Sequence, residues 1–354
     1  MKKNFFLLTA TLIVTLFLIE IVLDSTLGDK NKKNLANNRY MLFSEGNVFQ
    51  NVGRIFKYHA NKKITSRTFY DIKNSFIEEY NYTIQTNNYG LVQKNNIKKN
   101  KQSILFLGDS FTEGQGYYAW VDKFNGSYKH YQVINGGILG TGFKQFELLE
   151  RHISNDYNVK KVIVLYLGDD LRRDLFNHSE QVINCLKSHL NCNGYENFYG
   201  FNPISLNEHL NFLKSQRINK NSKNKKTFKI YKRQIKKYIS QLSIFFYPHQ
   251  FLKNNFYESQ NVKIISNLES IDNLIKKYKS NIIFIRLKQK NEIVNGDSYN
   301  SIRVKKHIHK KSKLFECDFN NDLNNFYKHD GHPNQTGYKY LFECVQNILN
   351  KNYQ

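Results

Sequence analysis

A chain of 354 residues with 40% hydrophobic residues, 27 Phe and 24 Tyr suffices for one large domain with appendages and a sizeable core. Its formal charge of +24 does not mark one basic face, because Lys, Asn, Ile and Tyr are abundant together along the whole chain. There is neither zinc-finger spacing nor an RNP-like aromatic strand, so specific nucleic-acid binding is set aside, and the four cysteines lack the C-x2-C spacing of a metal site, so no metal or cofactor is expected.

The elements follow in chain order. Lys2 and Lys3 precede an apolar run from Phe5 to Leu23, interrupted mainly by Thr9, Thr11, Thr15 and Glu20. About 20 apolar residues span a bilayer core, and positive charge before such a run keeps the amino end in the cytoplasm. The run exceeds a signal-peptide h-region and no A-x-A-like site follows it, which favours an uncleaved anchor over a removed signal. The expectation is a single-pass protein of the inner (cytoplasmic) membrane: a transmembrane helix over residues 1–24, with the remaining chain in the periplasm or outside the cell. Residues 25–100 are polar and Asn/Lys-rich, and read as a tether and edge segment. Within them Thr83–Val92, with its Asn87-Asn-Tyr-Gly90 turn, predicts an edge hairpin.

From residue 101 the pattern alternates. Strands are expected at Ile104–Leu107, Tyr131–Ile134, Lys161–Leu167, Asn281–Leu287 and Leu314–Phe319, with helices over Phe143–Asn155, Val262–Lys279 and Gln335–Leu349. Strands separated by helices imply an α/β domain over 101–354: a parallel sheet with helices on both faces. Residues from about 180 to 260 interrupt this rhythm with a basic insertion. Its second half, Phe228–Ile239, carries Phe228, Tyr231, Ile235, Tyr238 and Ile239 as one helical stripe. That stripe suits either a solvated insertion with one packed face or a surface for anionic lipid or polymer. Pairing Cys185 with Cys192 and Cys317 with Cys344 would staple two local loops; four unpaired thiols are the alternative.

Two stretches carry candidate chemistry. Ile104-Leu-Phe-Leu-Gly-Asp-Ser-Phe-Thr-Glu-Gly114 reads as a buried strand tipping into a helix, with Ser110 at the strand's carboxyl end, where open α/β sheets place ligands. Ser110 is either a helix cap or a nucleophile. Lys328-His-Asp-Gly-His-Pro-Asn-Gln-Thr-Gly337 precedes the last helix. A serine needs a base to take its proton, and His332 oriented by Asp330 could supply one. Acyl transfer also needs donors for a developing oxyanion, and the strand ends Val133–Gly142 and Val164–Leu171 offer them. His307 and His309 lie in a basic run expected as a solvated strand or loop, while His152 and His178 read as surface or packing residues.

The order Gly108-Asp109-Ser110, the glycine turn at 135–142, Gly168-Asp169-Asp170 and Asp330-x-His332 resembles the successive blocks of the SGNH (GDSL) hydrolase superfamily. The resemblance covers roughly residues 83–180 and 281–350. It implies a flavodoxin-like three-layer α/β/α sandwich and a serine esterase with Ser110 as nucleophile, His332 as base and Asp330 as its partner. It further implies an oxyanion hole made by Ser110 and Gly140. The third donor in the family is an Asn side chain, and here Asp169 stands in its place; an ionised carboxylate accepts hydrogen bonds and donates none. The Asp-x-His spacing is one residue shorter than usual, and strict spacing would put His329 in the acid's position. The substrate class implied is an acyl, often acetyl, ester, and a membrane anchor at residues 5–23 favours an envelope glycan or lipid-linked substrate. The same residues would serve an O-acyltransferase acting on a polysaccharide, and Asp169 leaves open a weakly active or inactive glycan-binding member.

Overall fold

The structure is a computed structural model that describes residues 38–44, 48–52, 55–72, 75–128, 130–173, 198–200 and 262–353, with scattered helical positions between 11 and 22 and at 211. The chain divides into two units, 1–36 with 204–261 and 37–203 with 262–354, and nearly all described residues belong to the second. The stretch 25–37 and the insertion, including Cys185, Cys192, His178 and the stripe from Phe228 to Ile239, lie outside the described residues. So does the apolar run 5–23, apart from those scattered positions. Among the described residues no helix is long and apolar enough to cross a membrane.

Five strands come first: β1 (Asn38–Phe43), β2 (Phe49–Val52), β3 (Ile55–Tyr58), β4 (Lys63–Ile72) and β5 (Ser75–Gln85). Strand β4 lies antiparallel between β1 and β5, and β2 pairs with β3 alone. This corrects the polar tether expected over the described part of 25–100. The average polarity hides a period of two. In β5, Tyr80, Tyr82 and Ile84 are buried while Asn81, Thr83 and Gln85 face water, and tyrosine serves as the apolar partner in that alternation. The expected hairpin is present just beyond β5: Thr86 bridges antiparallel to Val92. At its tip Gly90 takes φ +85°, and Asn87 Oδ1 accepts the N–H groups of Tyr89 and Leu91 at 2.9 and 3.1 Å.

The central domain follows as β6 (Gln102–Gly108), α1 (Ser110–Glu113), β7 (Tyr131–Gly137), α2 (Phe143–Asp156) and β8 (Val159–Tyr166). A short β9 (Phe198–Gly200) runs parallel to β1. Then come α3 (Val262–Tyr278), β10 (Ile282–Leu287), α4 (Lys290–Asn295), α5 (Tyr299–His309), β11 (Lys313–Cys317) and α6 (Gln335–Tyr353). The sheet order is β7-β6-β8-β10-β11 with every neighbouring pair parallel. The first strand thus lies between the second and third, which is the flavodoxin-like order, and its carboxyl end is the topological switch point.

Both faces of this sheet are covered. Leu105 and Leu107 point to a core shared with Phe146 and Leu149 of α2 and Ile271 and Leu274 of α3. Ile104 and Phe106 point the other way, onto Phe124 and onto Leu341 and Val345 of α6. Strands buried on both sides need continuous apolar runs, and that is why β6, β8 and β10 were legible in the sequence. Of the two cysteine pairs considered, Cys317 and Cys344 form a disulfide joining β11 to α6. The run around His307 and His309 is a correction: it is helix α5, not a strand or loop, because Val304 and Ile308 sit one turn apart on its buried side.

Candidate active site

Strand β6 ends at Gly108, where an added Cβ would lie 1.9 Å from Thr112 Oγ1 and 2.6 Å from the Leu165 carbonyl oxygen, so the chain turns here only with glycine. Asp109 caps α1 by accepting the Phe111 N–H at 2.9 Å. The cap is therefore Asp109, and Ser110 becomes the first helical residue with its hydroxyl directed elsewhere. Ser110 Oγ lies 2.8 Å from His332 Nε2 and donates more weakly to Asp109 Oδ2 at 3.3 Å.

His332 reaches Ser110 from the turn before α6. Its Nδ1 lies 2.6 Å from Asp330 Oδ1, and its backbone N–H donates to the same oxygen at 3.2 Å. The short Asp-x-His spacing thus works as a tight turn in which one carboxylate oxygen holds both ring and backbone. Ser110 and Asp330 are each 4% exposed and the His332 side chain 12%, so these groups are largely withdrawn from water. Burial alone would push the Asp330 carboxyl up, but His332 and Arg39 overcome it and hold the group well below the usual carboxylate range. His329, the acid's position under strict spacing, turns instead to Glu79, with Nδ1 and the backbone N–H each 2.7 Å from a carboxylate oxygen.

The glycine turn after β7 is pinned to α1. Ile138 N–H donates to the Gly108 carbonyl at 3.1 Å, and Leu139 N–H donates to Glu113 Oε2 at 2.7 Å. Gly140 follows with φ +71°, a conformation that favours glycine. Among the described residues neither the Ser110 nor the Gly140 backbone N–H has an intramolecular partner. Ser110 lies just beyond the end of β6, and Gly140 lies three residues beyond the end of its neighbour β7.

Asp169 is engaged elsewhere: its side chain is 40% exposed, lies 3.6 Å from Arg172 and accepts from Gln289 Nε2 at 3.2 Å. The group that meets Asp109 from the end of β8 is Arg173. Its Nη1 bonds Asp109 Oδ2 and, at 2.8 Å, Asp170 Oδ1, while its backbone packs on Gly142. Burial and Asp109 push the Asp170 carboxyl up, and Arg173 draws it back. His152, read as a packing residue, bonds the Tyr89 hydroxyl, and among the described residues no cluster of His, Cys, Asp or Glu is arranged to hold a metal.

Sequence reading missed Glu113, Arg173, Tyr80 and Arg39. Glu113 carried a misleading signal: Ser110-Phe-Thr-Glu113 has the S-x-x-E spacing of a capping box, yet the carboxylate points down to Tyr58 Oη at 3.0 Å and to Leu139. Burial pushes its carboxyl up to about 8, against the pull of those two donors. A carboxyl whose folded value lies above its ordinary 4.5 keeps its proton in the fold, so ionisation costs stability as pH rises from about 4.5 to about 8. Wild type is expected to lose a few kcal/mol more across that window than Glu113→Gln, which keeps only the loss from other raised carboxyls such as Asp122 and Asp170. Urea unfolding at several pH values measures it, and parallel pH profiles for the two proteins would refute it.

No protein-family model and no curated protein sequence matches the chain. Among solved structures it is similar to a lipase/acylhydrolase from Enterococcus faecalis, at 11% identity over 72% of this chain and 99% of that one, with a TM-score of 0.34. A member of the lipolytic protein G-D-S-L family from Veillonella parvula DSM 2008 shares 9% identity over 71% of this chain and 99% of its own, with a TM-score of 0.35. A GDSL-like lipase from Bacteroides thetaiotaomicron VPI-5482 shares 14% over 70% and 88%, with a TM-score of 0.32. Likeness at this level carries no inference about chemistry, which has to come from the side chains themselves.

Proposed function

We propose that this protein is a serine esterase of SGNH type that forms an acyl-enzyme on Ser110. The observation that carries the reading is the line from Ser110 Oγ through His332 to Asp330, with contacts of 2.8 and 2.6 Å. His332 Nε2 takes the hydroxyl proton as Oγ bonds to the ester carbonyl carbon, and Asp330 steadies the imidazolium. The N–H groups of Ser110 and Gly140 receive the oxyanion. His332 then gives its proton to the leaving alcohol oxygen as the ester C–O bond breaks. A water that loses a proton to His332 attacks the acyl carbon, releases the acid and restores Ser110.

In this reading the substrate is an acyl ester, with acetyl favoured, on an envelope glycan or glycolipid. The apolar run at residues 5–23 supports that choice by anchoring the domain beside such material on the periplasmic or outer side. A sugar hydroxyl in place of the second water would make the protein an O-acyltransferase. Asp169 favours a further reading as a weakly active glycan binder, since a carboxylate holds the position of a neutral donor. Mixing the protein with p-nitrophenyl acetate, quenching in acid and mapping peptides by mass spectrometry tests all three. Acetyl on the Ser110 peptide is expected, and its transfer to an added oligosaccharide would identify the transferase. An unacylated peptide together with no turnover would leave the binder.

A further inference from the structure

The outer oxygen of Asp330 is held by strands more than 240 residues upstream. Tyr80 Oη donates to Asp330 Oδ2 at 2.7 Å, and Arg39 Nε lies 3.7 Å from the same oxygen. Arg39 Nη2 also donates to Tyr80 Oη at 2.9 Å, and Gln115 Nε2, just beyond α1, donates to Tyr80 Oη at 2.8 Å. Asp330 Oδ1 therefore belongs to its own turn and Oδ2 to the N-terminal sheet.

The strand geometry explains how. Pairing of β4 with β5 shifts register between Thr68 and Phe69: Thr68 opposes Tyr80 and Phe69 opposes Glu78, leaving Glu79 as an extra residue. Such a bulge breaks strict alternation and re-aims side chains. Both Glu79 and Tyr80 face the 327–332 turn, where Glu79 takes His329 and Tyr80 takes Asp330. Arg39 and Tyr70, opposite one another in β1 and β4, face the same carboxylate.

We propose that Arg39 and Tyr80 are positioning residues of the reaction: through Asp330 they fix the orientation of His332. This deepens the esterase reading and rests on it. A carboxylate bound on one side by a turn of two residues would be free to pivot about that hinge; a second set of donors on Oδ2 removes the freedom. Arg39 adds a positive charge that helps to hold the Asp330 carboxyl well below the usual carboxylate range. The other charged or titratable groups around the pair are Tyr70 and Glu79 from the sheet, and Tyr327 and His329 on the turn itself. Lys290 of α4 donates to the carbonyls of Tyr327 and Lys328, and Asp109, paired with Arg173, lies on the Ser110 side.

The test is kcat and KM, measured separately, for p-nitrophenyl acetate in Arg39→Met, Arg39→Lys, Tyr80→Phe and Ser110→Ala, with thermal melts to compare folding. Arg39→Met is expected to lower kcat roughly tenfold with little change in KM, because Asp330 loses a charged partner, and Arg39→Lys to recover most of that loss. Tyr80→Phe is expected to lower kcat roughly 10–100-fold with little change in KM, from the loss of a hydrogen bond to a charged group. Failure of Arg39→Lys to recover the kcat lost in Arg39→Met overturns the proposal, since loosened packing alone would show no such rescue by charge. Wild-type kcat in Tyr80→Phe overturns it as well. If instead wild-type turnover does not depend on Ser110, the esterase reading itself has failed.

Discussion

Ser110→Ala is expected to lower kcat for ester hydrolysis by about 10⁴-fold or more while leaving the fold in place. The hydroxyl is the attacking group in the proposed reaction, and nothing else described at the end of β6 can replace it. Asp109 is committed to the Phe111 N–H and to Arg173. What remains is His332 acting on water beside two backbone donors, which accounts for a residual rate above that of solution. His332→Ala should cost about as much, and the double variant little more, because the two act as a unit. Stability should fall by no more than about 2 kcal/mol, since the side chain loses contacts at 2.8 and 3.3 Å, each worth about 1 kcal/mol. Steady-state rates with p-nitrophenyl acetate and a thermal melt decide the matter. Variants within tenfold of wild type would end the case for Ser110.

Gly137→Ala is expected to disrupt the site through a single methyl. Gly137 closes β7 and pairs with Gly108 across the sheet. A Cβ there would lie 2.2 Å from the Glu113 nitrogen and 2.6 Å from the Thr112 carbonyl carbon. Both are backbone atoms of the α1 segment, so no side-chain rotation relieves the overlap. The helix carrying Ser110 must move away from β7 and from the Gly140 turn. A cost of about 3 kcal/mol is expected, together with a loss of roughly 100-fold in kcat from misplacing Ser110. Gly331→Ala is the stability control, because a Cβ at Gly331 meets nothing within 4 Å and φ there is not positive. It should change stability by less than about 0.5 kcal/mol. Equal melting curves for the two variants would mean that α1 and β7 are less tightly apposed than the glycine geometry requires.

The sequence alone determined the α/β character of the second half, and it did so for a local reason. Strands buried on both faces must be apolar throughout, and helices with one buried side must repeat every three to four residues, so β6, β8, β10, α2, α3 and α6 announce themselves. It also singled out Ser110, Asp330 and His332, because a serine at a strand's carboxyl end and a histidine beside a carboxylate are short-range patterns.

The N-terminal sheet was not legible, since its alternation is written with tyrosines among polar residues and its pairing partners are distant. The run at 304–311 was misread for a related reason: its basic residues outnumber Val304 and Ile308, and only contact with the sheet shows which side is buried. What tertiary structure alone decided is the surroundings of the three site residues. Tyr80 and Asp330 stand 250 positions apart, and a bulge whose existence depends on pairing brings them within 2.7 Å. Glu113 spells a local cap and serves a turn 26 residues on. Arg173 carries no motif, yet it joins Asp109 to Asp170. Short-range patterns name the groups that can react. How those groups are held depends on hydrogen bonds and charges that close only when distant strands meet.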